Sequence, residues 1–456
     1  MTVVVLYLCL GTLWAALVPP FEKPDEIAHF AYVQFMASQW RIPKQKQETF
    51  PFLEPETQQP PLYYVAAALV YRGATLAGVP ATNLGQWESR INPHLGEPPP
   101  IGGQNFFQHG ERLLDPPGVF PHDLVLVRLF SLGLGAVTLV GVFMTARRIF
   151  PHHAWLPVLT TALVATLPQF TFITTSVSND VMGFALGAVL LYRLVAVDGA
   201  HLSRDYFVLG TLLGLAVLVK FTLLSLLPLA LLPLLRGGPR ARDRASALGL
   251  LAVGLAAVGG WWFVRNALVY GDVLGRQEII NPAAYAWNID RKPLFSPYFR
   301  DVFWPRVGES FVGKFGFMRI DMPRAYYAAW CFVVLGSAAG MALRFARDVS
   351  RHRQRLREMA AEPPAVLSAA LFFALAALIH YNLQVSQPQG RYLFHVLPAI
   401  ACLLVMGCHE LAIPIGRRLP APLVSTRAAD VAAILAVGAL GGLNLLALFR
   451  VVLPNY

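Results

Sequence analysis

The sequence predicts an all-α integral membrane protein: a bundle of about eleven transmembrane helices with two long extracytoplasmic segments. Three observations predict it. Apolar residues make up 56% of the 456 positions and charged residues only 14%, against about 45–50% and about 25% in ordinary soluble chains. Apolar runs of spanning length recur along the chain, and mean hydropathy is +0.52. The basic residues behind the net charge of +11 sit in short clusters between those runs. That is the pattern of cytoplasmic loops rather than of a nucleic-acid surface. Cys9, Cys331, Cys402 and Cys408 all lie in apolar runs, so neither a disulfide framework nor a zinc site is expected.

The spans follow in order. Residues 1–18 read as a first span rather than a cleaved signal, because no basic n-region precedes them. Further spans are expected at 124–146, 154–175, 180–197, 246–264, 325–343, 365–382, 392–412 and 428–449. The run 206–235 is long for one crossing and carries Lys220 at its middle. Two short crossings with Lys220 at an outer turn put every short basic loop on one side. Those loops hold Arg147, Arg148, Arg193, Arg204, Arg236 to Arg244, Arg344 to Arg357 and Arg417 to Arg427.

The whole chain, 1–456, then forms one polytopic unit without an appended soluble domain. Its long outer segments are 19–123, which carries an acidic motif, and 265–324. Residues 60–78 read as a helix at the outer interface, with Tyr63, Tyr64 and Tyr71 as interfacial aromatics.

Directly after the first span comes PPFEKPDEIAHFAYVQF. With Pro24 at a helix start, Asp25 and Glu26 fall in the first turn, and His29 lies three and four residues on, on the same face. Such acids often serve only the helix dipole. Near a bilayer and under apolar loops, a carboxylate is partly desolvated, which raises its proton affinity and suits a general base.

The acidic pair, QPPLYY (59–64), RLFSLGLGAVTLVGVFMTARRIFP (128–151) and QGRYLFHVLP (389–398) resemble the DUF2142 family of bacterial membrane proteins. That family is similar to the polytopic GT-C glycosyltransferases, among them protein O-mannosyltransferases and the aminoarabinose transferase of lipid A. The resemblance implies a GT-C-like bundle in the plasma (inner) membrane, with its active site on the extracytoplasmic face. It implies inverting transfer of a sugar from a polyprenyl-phosphate donor to an envelope glycan, lipid or protein. Asp25 would be the base, with Glu26 sharing or positioning. A divalent cation, Mg²⁺ or Mn²⁺, is compatible with that class, although the histidine and acid spacings match no metal template.

A lipid-phosphate leaving group needs cations at the outer face. Arg391 is the first choice: Gly390 would let the backbone approach a ligand closely, and Gln389 and Tyr392 add hydrogen-bonding capacity. Lys220 is the second, since a lone lysine in an apolar run is functional by default. Arg265, after WWFV, is a weaker third, equally readable as an interfacial anchor. Tyr64, His29, Asn179 and Asp180 complete the expected substrate-binding set. Two other functions compete. A flippase for a lipid-linked glycan would favour ionisable residues near the midplane, whereas these collect at span ends. A non-catalytic scaffold gives the charges near lipid no task.

Overall fold

The computed structural model describes residues 1–95, 97, 104–111, 113–115, 120–197, 201–235, 240–275, 292–351, 362–416 and 426–456. Parts of both long outer segments and of the basic loops lie outside these residues.

The chain begins with α1 (Thr2–Leu17), α2 (Glu26–Gln39), α3 (Leu62–Leu76), the short α4 (Gly85–Glu88) and the long α5 (His122–Ile149). A bent pair follows, α6 (Trp155–Ala165) and α7 (Pro168–Thr174), with axes 63° apart. Pro168 starts the second half, where a missing N–H costs nothing. Then come α8 (Asn179–Ala196) and α9 (Leu202–Val217), a 3-10 stretch Phe221–Leu231, and α10 (Ala241–Tyr270). The rest is α11 (Trp304–Val312), a two-residue hairpin pairing Lys314–Phe315 with Ile320–Asp321, α12 (Arg324–Arg351), α13 (Pro363–Asn382), a 3-10 turn Gly390–Val396, α14 (Leu397–Gly416) and α15 (Thr426–Leu446).

The expected spans fall largely on helices, but not all eleven are long enough to cross a membrane. Among the described residues, seven helices are long and apolar enough to cross a membrane, or eight if the bent pair is one span. The segments Thr2–Leu17 and Phe221–Leu235 are apolar but shorter. The 206–235 run does break at Lys220, between α9 and the 3-10 stretch. Two partners fix that break. Leu62 N–H donates to Leu218 O (2.9 Å), and the Asn179 amide donates to Val219 O (3.1 Å), so carbonyls freed at the helix end are satisfied.

Close helix packing depends on small residues. A Cβ on Gly210 would lie 2.1 Å from Leu251 O, so α9 and α10 approach backbone to backbone.

One expectation needs correction. Tyr63, Tyr64 and Tyr71 do not sit in the lipid interface; all three are buried, and α3 turns Leu69 and Leu76 outward instead. Each buried phenol has found a polar partner: Tyr63 shares a 2.8 Å bond with Ser131, Tyr64 a 2.7 Å bond with His29, and Tyr71 accepts from Gln34 (3.2 Å). α10 runs on to Tyr270, into the start of the expected second outer segment.

Candidate active site

The two ends of the bundle differ in chemistry. Arg147 and Arg148 lie at the C-terminal end of α5, Arg193 near the end of α8, Arg204 at the start of α9 and Arg344 late in α12. The opposite ends of α8 and α9 lead into the candidate site, at Asp180 and Lys220, and the opposite end of α5 carries Arg128. Over the 28 residues of α5 that separation is roughly 40 Å.

The segment between α1 and α2 is strained. Phe21 (φ 63°) and Asp25 (φ 60°) both adopt left-handed conformations, at a cost of roughly 1–2 kcal/mol per residue, less where an Asp can bond locally. Asp25 is therefore not in the first helical turn. It is the residue before it, and α2 begins at Glu26.

That one-residue difference separates the acidic pair. Glu26 is fully buried. Its carboxylate accepts from Arg128 Nε (2.9 Å) and Nη2 (2.5 Å), from Phe21 N–H (3.1 Å) and from Val177 N–H (3.1 Å). Arg128 spends its remaining N–H groups on Ala15 O (2.9 Å), Val18 O (2.8 Å) and Pro19 O (3.0 Å), the free carbonyls at the end of α1. Glu26 thus reaches no open space.

Asp25 faces the other way. Its side chain is 49% exposed. Arg391 Nη2 donates to its Oδ2 at 2.7 Å. Arg391 is buried, and its Nε lies 3.8 Å from Asp180 Oδ2. Lys220 forms an ion pair with the other oxygen of Asp180. Both cations lie over the ring of Tyr392, at 5.4 Å for Arg391 and 5.2 Å for Lys220. Tyr392 donates to Gln387 Oε1 (2.8 Å), and Gln389 reaches the same oxygen at 3.4 Å. Asp180 sits at the start of α8, whose cap is Ser178 Oγ accepting from Asp180 N–H (3.2 Å).

Gly390 has a different purpose from the one its neighbours suggest. It admits protein, not a ligand: a Cβ there would lie 2.4 Å from Phe311 N and 2.5 Å from Val307 O. The glycine lets α11 press on the turn that carries Arg391, and its N–H donates to Ser310 Oγ (2.8 Å).

Behind Asp25 lies His29, its Nδ1 hydrogen-bonded to Tyr64 and its Nε2 3.5 Å from Ser178 Oγ. Glu56, on a 3-10 turn, brings Oε2 to 3.7 Å from His29 Nδ1. Burial dominates both pKa values. It lowers His29 to about 4, against the pull of Asp25 and Asp180. It raises Glu56 to about 8, with the Asp25 charge adding to the rise. At Asp25 burial pushes upward too, but the charge and hydrogen bond of Arg391, with His29, override it and hold the carboxyl below its usual 3.8. Near neutral pH the site therefore holds an ionised Asp25 beside a neutral His29.

Most of the expected substrate set is gathered here: Asp25, His29, Tyr64, Asn179, Asp180, Lys220, Gln389, Arg391 and Tyr392. Two members stand apart. Glu26 is locked away as described. Arg265 stacks on Trp262 (4.9 Å) and Tyr270 (5.4 Å) and donates to Pro43 O (3.1 Å), so its bonds anchor a loop. Sequence reasoning missed Arg128 and Glu56. Arg128 was detectable as a lone charge early in an apolar run, by the logic applied to Lys220. Glu56 carries no such signal, since Glu54 precedes it in the same polar loop. Among the described residues, no group of three or more His, Cys, Asp or Glu side chains is placed to hold a metal ion. Asp25 and Asp180 turn their oxygens to Arg391 and Lys220 instead.

Residues 118–262 match the model of the dolichyl-phosphate-mannose-protein mannosyltransferase family. No curated protein matches the chain. Among solved structures, ArnT from Cupriavidus metallidurans is similar, both bound to undecaprenyl phosphate (15% identity, TM-score 0.49, 100% of this chain and 73% of that one) and in the apo state (16%, 0.49, 100% and 72%). The apo oligosaccharyltransferase of Archaeoglobus fulgidus aligns at 14% identity and TM-score 0.50, over 97% of this chain and 55% of that one. At such identity the likeness is one of fold. The chain is a multi-pass, all-α membrane protein with the GT-C architecture, and about a third of it matches a mannosyltransferase model.

Proposed function

We propose that the protein is an inverting GT-C glycosyltransferase, of the DUF2142 type, that moves a sugar from a polyprenyl-phosphate donor to an envelope glycan, lipid or protein. One observation carries the reading: a half-exposed, ionised carboxylate (Asp25) shares its site with two cations (Arg391 and Lys220), at the bundle end opposite the basic clusters. The mannosyltransferase match over 118–262, which includes Asp180 and Lys220, supports it.

In this mechanism the acceptor hydroxyl approaches the anomeric carbon from the side opposite the phosphate. Asp25 takes its proton as the new C–O bond forms. The old bond to the phosphate oxygen breaks, and the lipid phosphate leaves with the electron pair. Its growing charge meets Arg391, whose Nε has no hydrogen-bond partner, and Lys220. Asp180 holds the lysine in place, and Glu26 with Arg128 sets the backbone that presents Asp25. The basic clusters at the far end favour a cytoplasmic position for that end. The site then faces the extracytoplasmic side of the plasma membrane, and the whole chain acts as one unit.

The test offers purified protein in liposomes a panel of radiolabelled polyprenyl-phosphate sugars with envelope extract, and Asp25→Asn as control. Label entering a new product with wild type alone supports transfer. Label crossing the bilayer equally with both versions, without product, indicates a flippase and overturns the reading. Arg391→Ala should raise the apparent KM for the lipid donor; an unchanged donor affinity would remove Arg391 from the phosphate site.

A further inference from the structure

Among the described residues, eight buried side-chain nitrogen or oxygen atoms have no hydrogen-bond partner. Three of them belong to the one site: Arg391 Nε, Glu56 Oε2 and Asn179 Oδ1. Buried polar atoms are costly to leave unpaired, so a group of them marks where something else binds. The arginine Nε lies 3.8 Å from Asp180 Oδ2, and the mechanism above assigns it to the phosphate. The two oxygens remain unexplained by the mechanism above.

Their placement is well fixed. Asn179 is fully buried and Glu56 is 8% exposed. Both amide hydrogens of Asn179 are committed, to Gln59 Oε1 (2.9 Å) and Val219 O (3.1 Å), which leaves its oxygen as the open position. Gln59 N–H in turn donates to Glu56 O (3.0 Å). On the other side, Glu56 approaches His29 and His29 approaches Ser178, the residue before Asn179. Glu56 and Asn179 thus belong to one closed ring of contacts. Asn179 also adjoins Asp180, which holds Lys220 and faces Arg391. The ring therefore borders the two cations, within reach of a sugar joined directly to a phosphate held there.

We propose that Glu56 and Asn179 form a hydroxyl-binding subsite for the donor's sugar ring, engaging the hydroxyls of a neutral sugar through their unpartnered oxygens. This rests on the lipid-phosphate reading above. No Lys or Arg pairs with Glu56 among the described ion pairs, and its nearest basic neighbour is His29. Burial keeps its carboxyl protonated near neutral pH, a form that both donates and accepts a hydrogen bond and does not attract an ammonium. Glu56 and Asn179 are then specificity residues, distinct from the base and the phosphate cations.

The experiment measures binding of bare undecaprenyl phosphate, of undecaprenyl phosphate carrying neutral hexoses or pentoses, and of one aminated counterpart. Wild type, Glu56→Ala and Glu56→Gln are compared in detergent. At least one neutral sugar should tighten binding over the bare lipid. Glu56→Ala should lose about tenfold for that sugar lipid and nothing for the bare lipid, as expected for one lost hydrogen bond, and Glu56→Gln should restore most of it. Equal weakening for bare and sugar-bearing lipids would overturn the subsite, as would a panel in which no sugar adds affinity. A preference for the aminated sugar that Glu56→Gln abolishes would overturn the assignment to neutral sugars. Failure of wild type to bind bare undecaprenyl phosphate would reject the lipid-phosphate reading itself, and the subsite with it.

Discussion

Asp25 and Glu26 are adjacent acids, each held by an arginine, and their surroundings differ in every other respect. Glu26 is buried, takes four hydrogen bonds and pairs with an arginine whose remaining donors cap α1. Asp25 takes one side-chain bond from Arg391 and faces open space. A fully satisfied buried pair has no capacity left for chemistry, and removing one partner strands a buried charge. A half-exposed carboxylate keeps lone pairs free for a proton. The comparison shows how neighbouring residues of one chemical type can divide a closed structural role from an open, accessible one.

The largest expected effect comes from Asp25→Asn. Loss of a general base costs about 10²–10⁴-fold in rate, so transfer should fall by that much in the liposome assay. Thermal unfolding in detergent should move less than for Glu26→Gln, because Asn tolerates the left-handed conformation at least as well and its amide oxygen still accepts from Arg391. Transfer at the wild-type rate would break the comparison from the catalytic side.

Glu26→Gln tests the other half. Breaking a buried ion pair typically costs about 3–5 kcal/mol, and the thermal midpoint should drop accordingly. The double variant Glu26→Leu with Arg128→Met removes both charges, a change that is often neutral. Here it should remain destabilising, because Ala15, Val18 and Pro19 carbonyls lose their donors. A double variant as stable as wild type would show that the capping bonds contribute little.

Two smaller effects concern pH. Since Arg391 holds Asp25 below its usual range, transfer should not lose rate to protonation of the base between about pH 5 and 7. An acid limb with its midpoint near 6 would contradict the ion pair. The sign is opposite at Glu56. Its folded pKa, about 8, lies above the ordinary carboxyl value of 4.5, so the folded state binds the extra proton between those values. Stability from this group is full below the lower value and falls as pH rises to about 8. Glu56→Gln removes that dependence, so the variant's thermal midpoint should gain on wild type between pH 5 and pH 8. Parallel curves would mean that Glu56 ionises normally in the fold.

Much of the architecture was legible because membrane insertion acts on local composition. Apolar runs mark the helices, and the break at Lys220 followed from loop charge alone. Asp25, Lys220 and Arg391 were legible too, as charges set close to apolar segments. The inward turn of Tyr63, Tyr64 and Tyr71 was not, because an aromatic at a span edge looks the same whether it meets lipid or a buried histidine. Gly390 misled for a related reason: a glycine signals close approach without naming what approaches.

The sequence by itself determined a multi-span helical protein with charges at the helix ends, because the cost of placing polar groups in lipid is fixed residue by residue. Only the tertiary structure decided which acid is free and which is locked. The choice depends on partners 102 positions away for Glu26 and 366 for Asp25, and on whether those partners leave an oxygen open to solvent. Burial and pairing of that kind are properties of the packed bundle, and neighbours along the chain do not carry them.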